Sequence, residues 1–273
     1  MWKKIPVLPE LNLNGVYTAF IQDMETGYYF PGESHNFWEI ACVKDGSMTV
    51  TADERIYELK KNDIIFHRPL EFHRFLAGEN GLRLMVISFS ATGKLLKYFE
   101  KKTFSLTSEE VELFSELINT ADKIISRSGL PFPVSDNLHT KLDMLFKQFI
   151  LDVKGNRNSV KTVLNRNSAL YEKIINILKK NIDSTVTLDE IAEECHTSKS
   201  NLKRIFSMYS DISIKKYFNQ LKISKAMKLL KQGYSGNETA LSLGFENPNY
   251  FYTVFKNQTG VTVKEFQKNS ENY

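Results

Sequence analysis

Two groups of side chains in this sequence have types and spacings that can do chemistry. The first is Lys199, Ser200, Lys203 and Arg204, which share one flank of a helical period whose other flank carries Leu202, Ile205 and Phe206. Lys and Arg so placed can reach guanine O6 and N7 or adjacent phosphates, and Ser can donate to or accept from several bases. Further on, Asn249, Tyr252 and Thr253, with Lys256 behind them, occupy a comparable flank. There Asn suits the N6/N7 edge of adenine and Thr suits a thymine methyl. Either set taken alone reads more readily as an ordinary solvated helix face, because helix-turn-helix look-alikes are common in all-α folds. The second group is His35, Glu39 and His73, with Phe37 between the first two. Four residues apart in a strand, His35 and Glu39 point to one face. With Glu33 and His73 they form a donor set able to bind an organic ligand, hold a divalent metal or serve the barrel core.

The elements that must carry the first group form a repeat. Shifted by 48 residues, Ala192 falls on Ala240 and Cys195 on Leu243; shifted by 49, Leu202 falls on Phe251, Phe206 on Phe255, Ser213 on Thr262 and Tyr217 on Phe266. Each half reads as helix, short turn, helix. In the first, Thr187 caps a helix bearing Leu188, Ile191 and Ala192, and Ser198 caps the next after the turn His196-Thr197-Ser198. In the second, Ala240, Leu241 and Leu243 face inward, Gly244 permits the turn, and Asn247 caps a helix opened by Pro248. Tyr250, Phe251, Val254 and Phe255 are expected on its inner face. Between the halves an unbroken helix runs from the N-cap Ser213 to Gly233, with Phe218, Leu221, Ala226, Leu229 and Leu230 on its buried side. Its length of about 28 Å approaches the roughly 34 Å between successive major grooves on one DNA face. Two units on such a strut can enter neighbouring grooves.

Charge agrees with that placement. Residues 1–153 hold 17 Lys and Arg against 21 Asp and Glu, residues 154–167 hold 4 against none, and residues 168–273 hold 15 against 11. A basic C-terminal part behind a basic linker fits a polyanion partner. The two cysteines, Cys42 and Cys195, lie far apart without metal-ligand neighbours, which argues against a disulfide framework and for a reducing compartment. Pro6, Pro9 and Glu10 interrupt any early apolar run, and none elsewhere is long enough to span a bilayer. A soluble, cytoplasmic protein without membrane association is expected.

The second group sits in a different kind of sequence. From about Val16 to Phe89 short β-rich runs alternate with turns, as in Phe37 to Val43 closed by Lys44-Asp45-Gly46, which implies a sandwich or barrel. Two helical stretches follow. One starts at the expected N-cap Ser108 and repeats Val111, Phe114, Leu117, Ile118, Ala121 and Ile124; the other repeats Leu138, Leu142, Leu145, Phe146, Phe149 and Val153. Such a pair can cover the sheet or bury a stripe against a second subunit. The division expected is therefore a barrel over 1–107, a helical pair over 108–153, a linker over 154–167 and an all-α domain over 168–273.

At Ile191-Ala192, Ser198 with Leu202 and Phe206, Leu229-Leu230, Ala240 to Gly244-Phe245, Tyr250-Phe251 and Phe255-Lys256 the sequence resembles the DNA-binding domain of the AraC/XylS family. The stretch from Asn62 to Pro69 and His73 resembles the second half of a cupin barrel, as in the sensor domains of the same family. The resemblance implies an α+β multidomain fold: an N-terminal cupin-like β-barrel with a helical pair, and a C-terminal all-α domain with two helix-turn-helix units. Its groove-facing positions fall on Ser200, Lys203 and Arg204 and on Asn249, Tyr252 and Thr253. It implies a sequence-specific regulator, in the first place an activator, acting on double-stranded DNA with RNA polymerase as partner. A small-molecule effector, of which a carbohydrate is one form, and a homodimer are expected with it. The sequence departs from the family pattern at Asp211 (usually Gly), Lys222 (usually Arg) and Val263 (usually Pro). Metal-binding cupins usually place a histidine where Glu33 stands, so no metal or other cofactor is assigned; His35, Glu39, His73 and Phe37 are assigned to the effector instead. The rival expectation is a metal-dependent cupin enzyme with a helical appendage.

Overall fold

A computed structural model of the protein describes residues 10–126, 136–155, 166–210 and 212–270. Most of the expected linker, and Asp211, lie outside the described residues. The chain divides into two compact units, Met1–Val163 and Leu164–Tyr273.

The first unit is a seven-stranded antiparallel sheet: β1 (Asn12–Met24), β2 (Tyr29–Glu33), β3 (Trp38–Ala52), β4 (Arg55–Lys60), β5 (Asp63–His67), β6 (His73–Thr92) and β7 (Thr103–Ser105). The order is β1-β6-β3-β5-β7, with β2 on β6 and β4 on β3. The long β3 and β6 pair from Trp38↔Phe89 to Ala52↔His73, with register shifts at Val43/Asp45 and Gly46/Met48 that let both strands bend together. Several runs that read as separate strands are thus one bent ribbon. Period-two alternation sends Ile40 and Cys42 to one side of β3 and Ala41 and Val43 to the other. The inner set joins Met48, Val50, Leu59, Leu84 and Val86 in the barrel core. The outer set packs with Met85, Ile87 and Phe89 under α1 (Ser108–Ile125) and α2 (Asp136–Gly155) through Phe114, Leu117, Phe146 and Phe149. Both sheet faces are covered, which is why the run Ile40 to Val43 is apolar without interruption. The helix pair therefore does cover the sheet. Thr107 caps α1, one residue earlier than Ser108, in a capping box with Glu110.

The second unit is all helix: α3 (Arg166–Lys180), α4 (Leu188–Glu194), α5 (Lys199–Tyr209), α6 (Ile214–Lys231), α7 (Gly236–Ser242), α8 (Pro248–Thr259) and α9 (Val263–Ser270). The caps follow the sequence: Thr187 in a capping box with Glu190, Ser198 on Asn201 N, Ser213 on Lys216 N, and Asn247 with Pro248 following. Tyr171, Ile174 and Leu178 of α3 pack toward Phe206 of α5, and Ile223, Ala226 and Leu230 of α6 join Ala240, Leu243, Phe251 and Phe255. Three inward assignments are corrected. Leu241 is 65% exposed and Tyr250 is 43% exposed, because each lies on a short helix whose buried arc is already filled, by Ala240 with Leu243 and by Phe251 with Phe255. Leu221 is only half-buried, the inner arc of α6 being taken by Phe218, Lys222 and Ile223.

Candidate DNA interface and effector pocket

The two helix-turn-helix units share a backbone design. In the first, Thr197 N donates to Ala192 O at 2.9 Å across a turn in which His196 has φ 53°. In the second, Phe245 N donates to Ala240 O at 3.0 Å across a turn in which Gly244 has φ 65°. A left-handed residue at the same step closes each first helix and sets the entry angle of the second. At Gly244 a side chain is also excluded by contact, since a Cβ would lie 2.8 Å from Ser184 Cα.

On α5 all four expected residues, Lys199, Ser200, Lys203 and Arg204, are exposed opposite buried Leu202, Ile205 and Phe206. The Arg204 guanidinium donates from Nη2 to Asn201 Oδ1 at 2.9 Å, so its fork is held on the helix flank; sequence reasoning missed Asn201, whose i,i+3 spacing is the available signal. Lys199 Nζ lies 2.9 Å from Asp189 on α4. On α8 Asn249, Tyr252, Thr253 and Lys256 are exposed. Thr253 Oγ1 donates to Asn249 O at 3.0 Å, which spends its hydroxyl on its own helix and leaves the methyl for recognition. Tyr252 OH donates to Asn237 at 3.1 Å, bracing α8 on α7. Between the units, Lys222, which stands where the family usually has Arg, is 4% exposed, and its ammonium donates to Ser184 O at 2.8 Å and Leu243 O at 2.6 Å. It lies over the rings of Phe218 and Phe245, beside a groove of about 510 Å³.

In the barrel, the structure brings His35, Glu39 and His73 together, and Glu39 and His73 line a cavity of about 270 Å³ with Phe20, Tyr28, Phe30, Phe37 and Ser88. β2 approaches β6 closely here because Gly32, at φ 97°, has no Cβ to meet His73 O, which would stand 2.8 Å away. Phe37 stacks on His35 with ring centroids 3.8 Å apart, and Tyr17 stacks on Phe37. Glu39 Oε1 lies 3.3 Å from His73 Nε2, and Ser88 Oγ donates to Glu39 Oε2 at 2.7 Å while accepting from Thr18. Burial pushes the Glu39 carboxyl up, but the two imidazoles beside it prevail and hold it well below the carboxylate range. For His73, burial is outweighed by Glu39 and the ring is raised above its ordinary value. His67 was not foreseen. It stacks on His73 at 4.1 Å, and burial holds it well below its ordinary value, so it stays neutral. Its Nδ1 lies 3.0 Å from Glu71, whose carboxyl is pushed up to about 8 by burial and by Asp53. The expected residues thus meet in one place, with Glu33 at the rim.

A barrel sensor domain followed by a double helix-turn-helix domain defines a ligand-binding transcription regulator. Residues 15–109 match the AraC-like ligand binding domain and residues 191–269 match a helix-turn-helix domain. The chain belongs to the AraC/XylS family of transcriptional regulators. Among relatives, the HTH-type transcriptional activator RhaR of Salmonella dublin is 23% identical over 245 residues, covering 87% of each chain. Among solved structures, ToxT from Vibrio cholerae O395 aligns over 94% of this chain and 97% of its own, at 18% identity and a TM-score of 0.38. A DNA-binding transcriptional dual regulator from Escherichia coli K-12 aligns over 41% of this chain and 100% of its own, at 27% identity and a TM-score of 0.37. Among the described residues no helix is long and apolar enough to cross a membrane.

Proposed function

We propose that the protein is a cytoplasmic, homodimeric activator that binds two adjacent major grooves through α5 and α8 and is controlled by a small molecule, such as a sugar, in the barrel. In this reading residues 1–107 sense, 108–153 pair the subunits, 154–167 link, and 168–273 bind DNA and present the bound chain to RNA polymerase. The carrying observation is the pair of exposed polar helix flanks on α5 and α8, in two units joined in the chain through α6, whose 18 residues span about 27 Å. The first unit supplies most of the base reading: Lys199, Lys203 and Arg204 give it charge and forked donors. The second, through Asn249, Tyr252, Thr253 and Lys256, chiefly positions the protein. Aromatic side chains around His35, Glu39, His73 and Phe37 suit stacking on a sugar ring while the polar groups fix its hydroxyls. The name of the relative RhaR, a transcriptional activator, supports the polarity.

Footprinting on the DNA upstream of the protein's own locus, with and without candidate sugars, tests the reading. Protection over two helical turns, with affinity falling steeply as salt rises, is expected. Absence of DNA binding at low salt would overturn it and revive the cupin enzyme with a helical appendage.

A further inference from the structure

The barrel cluster has more donor atoms than an organic ligand needs to explain. His35 Nε2, His73 Nε2 and one carboxylate oxygen each from Glu39 and Glu33 all lie within 4.8 Å of one another. Both Nε2 atoms are buried and have no hydrogen-bond partner. Their opposite nitrogens are committed elsewhere: His35 Nδ1 lies 3.0 Å from Phe37 O, and His73 Nδ1 lies 3.2 Å from Glu71 O. A carbonyl only accepts, so each Nδ1 carries a proton; a neutral ring then turns its Nε2 lone pair toward the cluster, and on His73 a metal ion would take the place of the proton that Glu39 favours. With both rings neutral, two lone pairs and two carboxylates converge and repel one another, with Ser88 donating to one Glu39 oxygen only, and a cation removes that repulsion. The backbone carbonyls behind the imidazoles and the Ser88 hydroxyl on Glu39 Oε2 are the outer contacts that orient metal ligands.

Distances agree. Bonds of about 2.1 Å to nitrogen and oxygen put neighbouring ligands roughly 3.0–3.5 Å apart around a tetrahedral or octahedral ion. Here the shortest separations are 3.3 Å for His73 Nε2 to Glu39 Oε1, 3.7 Å for His35 Nε2 to Glu39 Oε2 and 3.9 Å for His73 Nε2 to Glu33 Oε1, so the set, which spans up to 4.8 Å, must contract on an ion. Glu33, half-exposed at the rim, has the freedom to supply part of that contraction. We propose that the sensor barrel binds one divalent transition-metal ion through His35, Glu39, His73 and Glu33. The expectation of a metal-free pocket rested on Glu33 standing where a histidine is usual; the structure puts its carboxylate where that ligand would be needed. Two imidazoles and two carboxylates suit zinc, iron, cobalt, nickel or manganese, whereas the oxygen-only preference of calcium and magnesium disfavours them. The inference deepens the reading of the barrel as the effector pocket, by naming what the pocket holds.

The test uses the full-length protein, stripped with chelator and titrated with Co²⁺ and Zn²⁺ by calorimetry and, for cobalt, visible absorption. Expected are one ion per chain, cobalt bands characteristic of mixed nitrogen and oxygen ligation, and reversal by chelator. His35→Gln and Glu33→Gln, checked for an intact fold by circular dichroism, should each weaken binding at least tenfold. His139→Gln, at an exposed site on α2, should leave it unchanged. Absence of saturable binding by the folded protein overturns the proposal, as does binding that survives both pocket substitutions. DNA affinity is measured on the same samples: a protein that grips DNA but no metal loses only this proposal, and one that binds metal but no DNA loses the regulator reading.

Discussion

At the scale of single residues, Arg204 concentrates the recognition argument. Its guanidinium is exposed but already oriented by Asn201, so less side-chain freedom is lost when it meets a guanine or a phosphate. Arg204→Ala is expected to weaken binding to the operator about tenfold or more, the worth of a good bidentate contact. Thr253→Ala, which removes a methyl contact, should cost under about threefold. Gel-shift titrations of the two variants at one salt concentration check the asymmetry between the units; equal losses would refute it. The sequence displayed these residues because a helix flank is a matter of period alone. It did not display their partners, since Asn201 under Arg204 and Asn237 under Tyr252 depend on rotamers and on a neighbouring helix. His67 escaped notice for a similar reason: only the pairing of β5 with β3 places Glu39 opposite it.

At the scale of elements, the helix-turn-helix pair is legible where local chemistry fixes it and illegible where packing does. Thr187, Ser198, Ser213 and Asn247 cap the helices expected of them, because a cap needs only a side-chain oxygen and the next turn's amides. Which arc of a seven-residue helix is buried is decided by its neighbours, and Leu241 shows the consequence. Lys222 is the sharper case. A lysine inside a strut helix reads as solvated, yet here it ties α6 to Ser184 and to the end of α7 at Leu243, and two aromatic faces flank it. Lys222→Met keeps the bulk but leaves two inward carbonyls without a donor, which should destabilise the second unit by about 1–3 kcal/mol. Lys222→Arg, with more donors, should retain most stability and DNA affinity. Gly244→Ala meets both a left-handed backbone and the Ser184 chain, so a loss of about 2 kcal/mol or more is expected. Thermal melts of the three variants rank them, and a Met variant as stable as the parent would show that Lys222 braces nothing.

At the scale of the whole molecule, the proposed homodimer needs a surface through which the subunits pair. α2 turns Phe146, Phe149, Ile150 and Val153 onto the sheet, yet Met144 is 66% exposed and Leu151 is 54% exposed. Single exposed apolar side chains are ordinary. These two lie seven residues apart, two turns along one face, and between them Lys147 pairs with Asp143 at 2.6 Å beside Gln148. A seven-residue apolar spacing repeats one of the two positions of a helix seam, while Lys147 and Gln148 hold the other here. The same helix can thus cover its own sheet with one arc and a partner with the other, so the two alternatives open in the sequence are compatible. Met144→Glu with Leu151→Glu should convert the protein from dimer to monomer in analytical ultracentrifugation. Its melting temperature should change little beyond the effect of dissociation, since both side chains already stand in water within one chain. Affinity for a duplex carrying one site should be kept, while the gain from a second site should vanish, because linked sites owe that gain to effective concentration. A double variant that still sediments as a dimer would place the subunit contact on another face.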